Sequence, residues 1–193
     1  ETKRAKEEFA MYMAAKMYTP GTPTLTNAGR PGYEHAALSS CAIIPVNLRN
    51  KRTAKERIKA YYRQNMGSGF DLTPYTDAVD LLLWLNELAA RETETGKYDR
   101  YIGNMANLHV SHPEIRKFIA LKRSHALPHF NCSVVVDDRF MQEALKKGTK
   151  EHGILMDIAE SAWQIGDPSI INLERMNRNN PVAAIAPYTS APP

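Results

Sequence analysis

Residues 19–46 read TPGTPTLTNAGRPGYEHAALSSCAIIPV, a turn-rich stretch that ends in a cysteine and runs on into an apolar segment. Thr22, Thr24 and Thr26 alternate with Pro23, Leu25 and Asn27, so hydroxyls and backbone amides concentrate over a few residues. Pro20, Gly21, Gly29, Pro31 and Gly32 are expected to keep this stretch out of regular structure. The β-branched run over 42–46 predicts a short buried strand. A thiol at the mouth of such a strand, beside hydroxyls suited to anions, makes Cys41 a candidate site residue. The plain alternative is a buried structural cysteine after a threonine-rich turn.

Upstream, residues 3–18 predict a helix with Ala5, Phe9, Met13 and Met17 along one face, packing beneath the loop and ended by Pro20. Downstream, 47–63 is strongly basic, with Arg49, Lys51, Arg52, Lys55, Arg57, Lys59 and Arg63 set against Glu56. A nucleic-acid surface would need interleaved aromatics, and Tyr61 with Tyr62 is too little, so this segment reads as a solvated helix face. Asn65-Met66-Gly67-Ser68-Gly69-Phe70 is a second candidate site, because glycines let backbone amides approach a ligand closely. The same GSG is otherwise a turn. Residues 77–94 predict a long helix, 91–100 a polar loop and 103–110 a strand. His112-Pro113-Glu114 opens a helix that reaches Arg123. Residues 129–136 predict a further strand, and Asp137 or Asp138 caps the helix carrying Phe140 and Met141. Amphipathic helices are expected over 154–165, stopped by Gly166, and over 170–179, closed by Asn180-Pro181. His109 with His112, and His125 with His129, suggest metal binding, but neither pair has Cys or carboxylate companions at ligand spacing. No metal site is expected.

The chain has 193 residues, 43% hydrophobic and 24% charged, which fits one compact domain over 1–193. The run over 78–85 is interrupted by Asp80, so no segment reads as a bilayer span and no membrane partner is expected. No secretory leader stands at the start, and two cysteines make no disulfide framework, so a reducing, cytoplasmic setting is expected. The net charge of +4 suits an anionic small molecule and does not call for nucleic acid. Short apolar runs alternating with amphipathic helices predict α/β architecture.

Four blocks together carry a family resemblance. TPTLTNAG followed by LSSC, then GSGFDL, then GNMANLHVSHPEIRKFIALK with FNCSVVVDDRFM, then WQIGDPSIINLERMNRNNP, resemble in order the large chain of ribonucleotide reductases, most of all the adenosylcobalamin-dependent class. The iron-dependent class is the alternative. The resemblance implies N-terminal helices plus half of a ten-stranded α/β barrel. It implies that Cys41 is one member of a redox thiol pair, and that Thr22, Ser40, Cys41 and Gly67 contact a ribonucleotide. It implies an effector deoxynucleotide near Lys97 and Arg100, a dithiol reductant such as thioredoxin, and adenosylcobalamin as cofactor. Cys132 stands where the family pattern has an aliphatic residue, so it is expected to be a packed core thiol.

The sequence departs from the family in places. Asp71 stands where members often have Asn. Where the family has Asn-Pro-Cys-Gly-Glu, with a radical-bearing Cys, this sequence has Ala191, Pro192 and Pro193. The 193 residues alone are therefore expected to be inactive, working only with a complementary C-terminal segment. The alternative is a non-catalytic nucleotide- or partner-binding paralogue. A half barrel also leaves a sheet edge open, and the leucines around Trp84 (Leu82 and Leu83 among them) are rich for an exposed helix. A homodimer or a complementary chain is expected to cover them.

Overall fold

The computed structural model describes residues 2–34, 36–95, 101 and 103–189. The chain forms two compact units, Glu1–Ser40 and Cys41–Pro193.

In the first unit, α1 spans Lys3–Ala14, with the Thr2 hydroxyl accepting from the Ala5 amide at its start. It stops four residues short of the expected end. Lys16 takes a left-handed φ of 57°, which breaks the helical path before Pro20 is reached. No α1 residue is buried, so the Ala5–Phe9–Met13 face is not a core face within this unit. The stretch expected to be irregular contains a second helix, α2, over Thr22–Asn27. Proline in a first turn forfeits no helical hydrogen bond, and Thr26 closes the turn by donating from Oγ1 to the Thr22 carbonyl at 2.9 Å. Asn27 Nδ2 donates to the Ala37 carbonyl at 2.9 Å and Thr24 Oγ1 to that of Leu38 at 3.1 Å, tying α2 to the segment before Cys41.

The second unit is built on five parallel strands in strictly sequential order, β1 Cys41–Ile43, β2 Gly67–Asp71, β3 Asn104–His109, β4 Phe130–Val136 and β5 Ser169–Asn172. The crossovers carry α3 Lys51–Tyr62, α4 Ala78–Glu94, α5 Ile115–Arg123, and the pair α6 Asp138–Ala144 and α7 Lys150–Ile165; α8 Leu173–Arg178 follows β5. Crossovers of one hand with no reversal of strand order keep the crossover helices α3–α7 on one face of the sheet. The core agrees. Phe70, Ala106, Leu108, Phe130, Cys132, Val134 and Val136, alternate residues of three strands, pack with Ile58, Leu82, Phe118 and Ile158 from the helices. Five sequential parallel strands with helices on one side make half of the expected barrel, with β1 and β5 as its edges.

Several local expectations change. The GSG segment is a strand, because β2 is paired on both sides and its backbone is held by β1 and β3. The run expected to be a buried strand over 42–46 yields only Cys41–Ile43, an edge strand with Ile43 exposed; Pro45 offers no amide to extend the ladder. Residues 170–179 are half strand, half helix, since Ile170 and Ile171 pair with Val134 and Val135 before α8 begins. On α4, Leu82 is fully buried within its own unit while Leu83 is 39% exposed, so the leucine-rich face is mainly core. Of the loop expected over 91–100, residues 91–94 belong to α4 and 96–100 lie outside the described residues. The other helices and strands match, including Asp137 as the cap of α6, accepting from the Phe140 amide at 2.6 Å, and left-handed Gly166 ending α7. No described helix is long and apolar enough to cross a membrane.

Candidate functional site

Parallel pairing places side chains of partnered residues on the same face. Cys41 is the register partner of Gly67, each being the first residue of its strand. Two residues singled out separately from the sequence thus lie side by side at the same end of the sheet. Continuing the registers, Ile43, Gly69, Met105 and Asn131 form the next row, and Asp71, Asn107, Ser133 and Ser169 the one after. All lie on the face opposite the helices. Consistently, buried Val135 belongs to this face and is missing from the apolar core cluster.

This face, opposite the crossover helices, is chemically unlike the other. It carries a thiol, a thioether, amides, hydroxyls and two glycines instead of leucine and phenylalanine. Ser133 and Ser169 share a hydrogen bond of 2.6 Å between their hydroxyls, and the Ser133 hydroxyl lies 3.0 Å from Met105 Sδ. These bonds join β3, β4 and β5 across the face. A fully apolar sheet would need no such arrangement, and these polar groups set this face apart from the apolar one packed on the crossover helices. Asn131, Ser133 and Ser169 escaped the sequence reading. The signal was there in FNCSVVV, where Phe130, Cys132 and Val134 alternate with the polar Asn131 and Ser133.

The two cysteines differ sharply. Cys41 is half-buried on the polar face, whereas Cys132 is 1% exposed on the helix face, and neither is in a disulfide. Burial pushes the Cys132 thiol far above the ordinary range, with the nearby Asp167 carboxylate adding to it and Lys122 opposing. Asp167 itself is structural. Its carboxylate accepts from the Cys132 amide at 3.0 Å and faces Lys122 Nζ at 3.4 Å, and Lys122 also reaches the Leu127 and Phe130 carbonyls. Burial raises the Asp167 carboxyl despite these partners.

The other expected residues are placed as follows. Thr22 opens α2 and Ser40 precedes Cys41; both belong to the first unit, while Cys41 and Gly67 belong to the second. Lys97, Arg100, Ala191, Pro192 and Pro193 lie outside the described residues. Buried His112 has both ring nitrogens engaged, Nε2 with the Tyr75 carbonyl at 2.9 Å and Nδ1 accepting from the Glu114 amide at 3.1 Å. His129 stacks on Tyr101 at 5.1 Å, and burial lowers its pKa. Among the described residues no three His, Cys, Asp or Glu side chains gather as a metal-binding group.

Comparison with known proteins agrees with the geometry. Residues 76–153 match the family model for the ribonucleotide reductase barrel domain. The chain is 26% identical over 216 aligned residues to a vitamin B12-dependent ribonucleoside-diphosphate reductase of Thermoplasma acidophilum, covering 96% of this chain and 28% of that protein. It is 28% identical to the Mycobacterium tuberculosis enzyme of the same description, covering 94% of this chain and 30% of that one. The chain therefore spans under a third of the length of these relatives. Among solved structures, the alpha subunit of the class Id ribonucleotide reductase of Actinobacillus ureae superposes with a TM-score of 0.66 at 9% identity, over 89% of this chain and 34% of that one. That likeness is one of fold.

Proposed function

We propose that the chain, whose residues 76–153 match the family model for the ribonucleotide reductase barrel domain, is the N-terminal part of a ribonucleoside-diphosphate reductase barrel, with Cys41 as one thiol of the pair that reduces the ribose. The observation that supports this most is the pairing of Cys41 with Gly67 at one end of the polar sheet face opposite the crossover helices. In this reading the sugar stands over β1 and β2. The Gly67 amide binds the nucleotide and Cys41 faces the 2′-carbon; substrate contacts by Thr22 and Ser40 are what the family resemblance implies. Reduction removes the 2′-hydroxyl as water. Two thiols supply the two electrons and end as a disulfide, which an external dithiol then reduces.

The second thiol is not Cys132. That residue lies on β4, three strands from β1 and on the opposite face, well beyond the spacing of a disulfide. It comes from outside these 193 residues, as does the radical-bearing cysteine. We therefore propose a complementary segment, on the same or another polypeptide, that supplies the remaining strands at the sheet edges. Of the remaining assignments, a deoxynucleotide effector near Lys97 and Arg100 follows from the resemblance, and a reducing, cytoplasmic setting from the low cysteine count.

The relatives are named for vitamin B12, and adenosylcobalamin is the cofactor this reading implies, as the source of the radical. The recess between α6 and β5, about 380 Å³, is too small for a corrinoid, so the cofactor is not placed there. No step here passes through it.

Alkylation with iodoacetamide followed by peptide mapping tests the proposal. Cys41 should label and Cys132 should not, because a buried thiol of raised pKa presents little thiolate. A ribonucleoside diphosphate should slow the Cys41 labelling. Preferential labelling of Cys132, or labelling of Cys41 that millimolar nucleotide leaves untouched, would contradict it.

A further inference from the structure

Asn27, the last residue of α2, is 5% exposed. An asparagine is seldom buried unless its amide is bonded, and this one is bonded at both ends. Its Nδ2 donates to the Ala37 carbonyl at 2.9 Å, ten residues on, and its Oδ1 lies 3.0 Å from the Thr26 hydroxyl. On the same side of α2, three residues earlier, Thr24 Oγ1 donates to the Leu38 carbonyl at 3.1 Å. Two side chains of one helix thus hold two successive carbonyls. A helix of six residues does not persist by itself in water, so these bonds join α2 and the segment it holds into one piece.

That segment leads straight to the thiol. Residues 36–40 form neither helix nor strand, and Ser39 and Ser40 are all that separate Leu38 from Cys41 along the chain. Cys41 is the first residue of β1, a three-residue edge strand, so the ladder to β2 holds the backbone from Cys41 onward. Ahead of Cys41, the Asn27 and Thr24 bonds supply an anchor within a few residues. A thiol that must meet a ribose carbon, and then a second sulfur at disulfide spacing, tolerates little drift of its backbone.

Resting on the reading of Cys41 as a redox thiol, we propose that Asn27, together with Thr24, is a positioning residue for that thiol. It acts through the Ala37–Leu38 backbone, by fixing the chain that enters β1. The experiment measures the rate at which iodoacetamide labels Cys41 in the 193-residue chain, and the ADP concentration that halves this rate. Asn27→Asp replaces the amide donor by an oxygen, Thr24→Val keeps the shape and loses the hydroxyl, and Thr24→Ser keeps the hydroxyl. Asn27→Asp and Thr24→Val should each raise the labelling rate and the protecting ADP concentration by roughly 2- to 12-fold, the worth of one hydrogen bond. Thr24→Ser should match the wild type. Cys132 should stay unlabelled throughout, since the anchoring bonds lie in the first unit and Cys132 in the core of the second.

A merely structural role would lower the melting temperature and leave both Cys41 measures where they are in the wild type. Unchanged values in Asn27→Asp and Thr24→Val, or a Thr24→Ser variant as impaired as Thr24→Val, overturn the assignment. Labelling of Cys132 in any variant means that the barrel unit has opened, and contradicts a role confined to the chain ahead of β1. A wild-type Cys41 that ADP leaves unprotected removes the substrate site itself, and the positioning role with it.

Discussion

Asp138 shows how one residue can join distant parts of the chain. It begins α6, and its carboxylate accepts from Asn172 Nδ2 at 2.7 Å, from Arg175 Nε at 3.2 Å and from Arg178, so β5 and α8 are tied to the end of β4. The Asn172 hydrogen bond first, then those from Arg178 and Arg175, hold its pKa below the ordinary 3.8, while desolvation opposes them. A carboxyl whose pKa is lower in the folded state stabilises the fold above its unfolded value and loses that contribution as pH falls through the folded one. Asp138→Asn should therefore melt below the wild type at pH 7, and the gap should close as pH drops below about 3.8. A gap that stays constant to pH 2 would leave the carboxylate without its assigned role. Nothing in the sequence announced this cluster, because its members are more than thirty residues apart. Asp137, one position earlier, was legible because its hydrogen bond to Phe140 spans only three residues and repeats a local pattern.

Among the elements, those governed by local rules were readable and those governed by pairing were not. The α4 helix was clear from its periodicity, and α7 from its glycine stop. The threonine-rich 22–27 stretch looked like loop, yet it is a helix whose proline falls where a helix tolerates one. GSGFD looked like a turn and is a strand, since two neighbouring strands fix the backbone that glycine leaves free. Periodicity alone could not divide the leucines of α4 between core and surface. Leu82→Ala should cost about 2–5 kcal/mol in denaturant unfolding, as expected for a fully buried leucine, whereas half-exposed Leu83→Ala should cost well under half of that. Equal losses at the two positions would mean that Leu83 is also covered, as in an association through this helix.

For the whole molecule, the half barrel was legible only through family resemblance, because alternating helices and strands are equally compatible with a doubly wound sheet. What decides between them is the sequential strand order with every crossover helix on one face, a property of the assembled sheet that no single segment carries. That order leaves the opposite face free to be polar, and there Cys41 meets Gly67, two residues whose functional reading from sequence did not reveal that they are neighbours. The most direct test is an amide-resolved NMR titration of the chain with a ribonucleoside diphosphate. The basic helix α3, a plain electrostatic attractor for any polyanion, serves as the internal control. Binding at the polar face should shift the Gly67 and Gly69 amides and those of Cys41 and Asn131, saturably and at moderate salt. Shifts confined to residues of α3 and abolished by salt, with Gly67 unmoved, would contradict it.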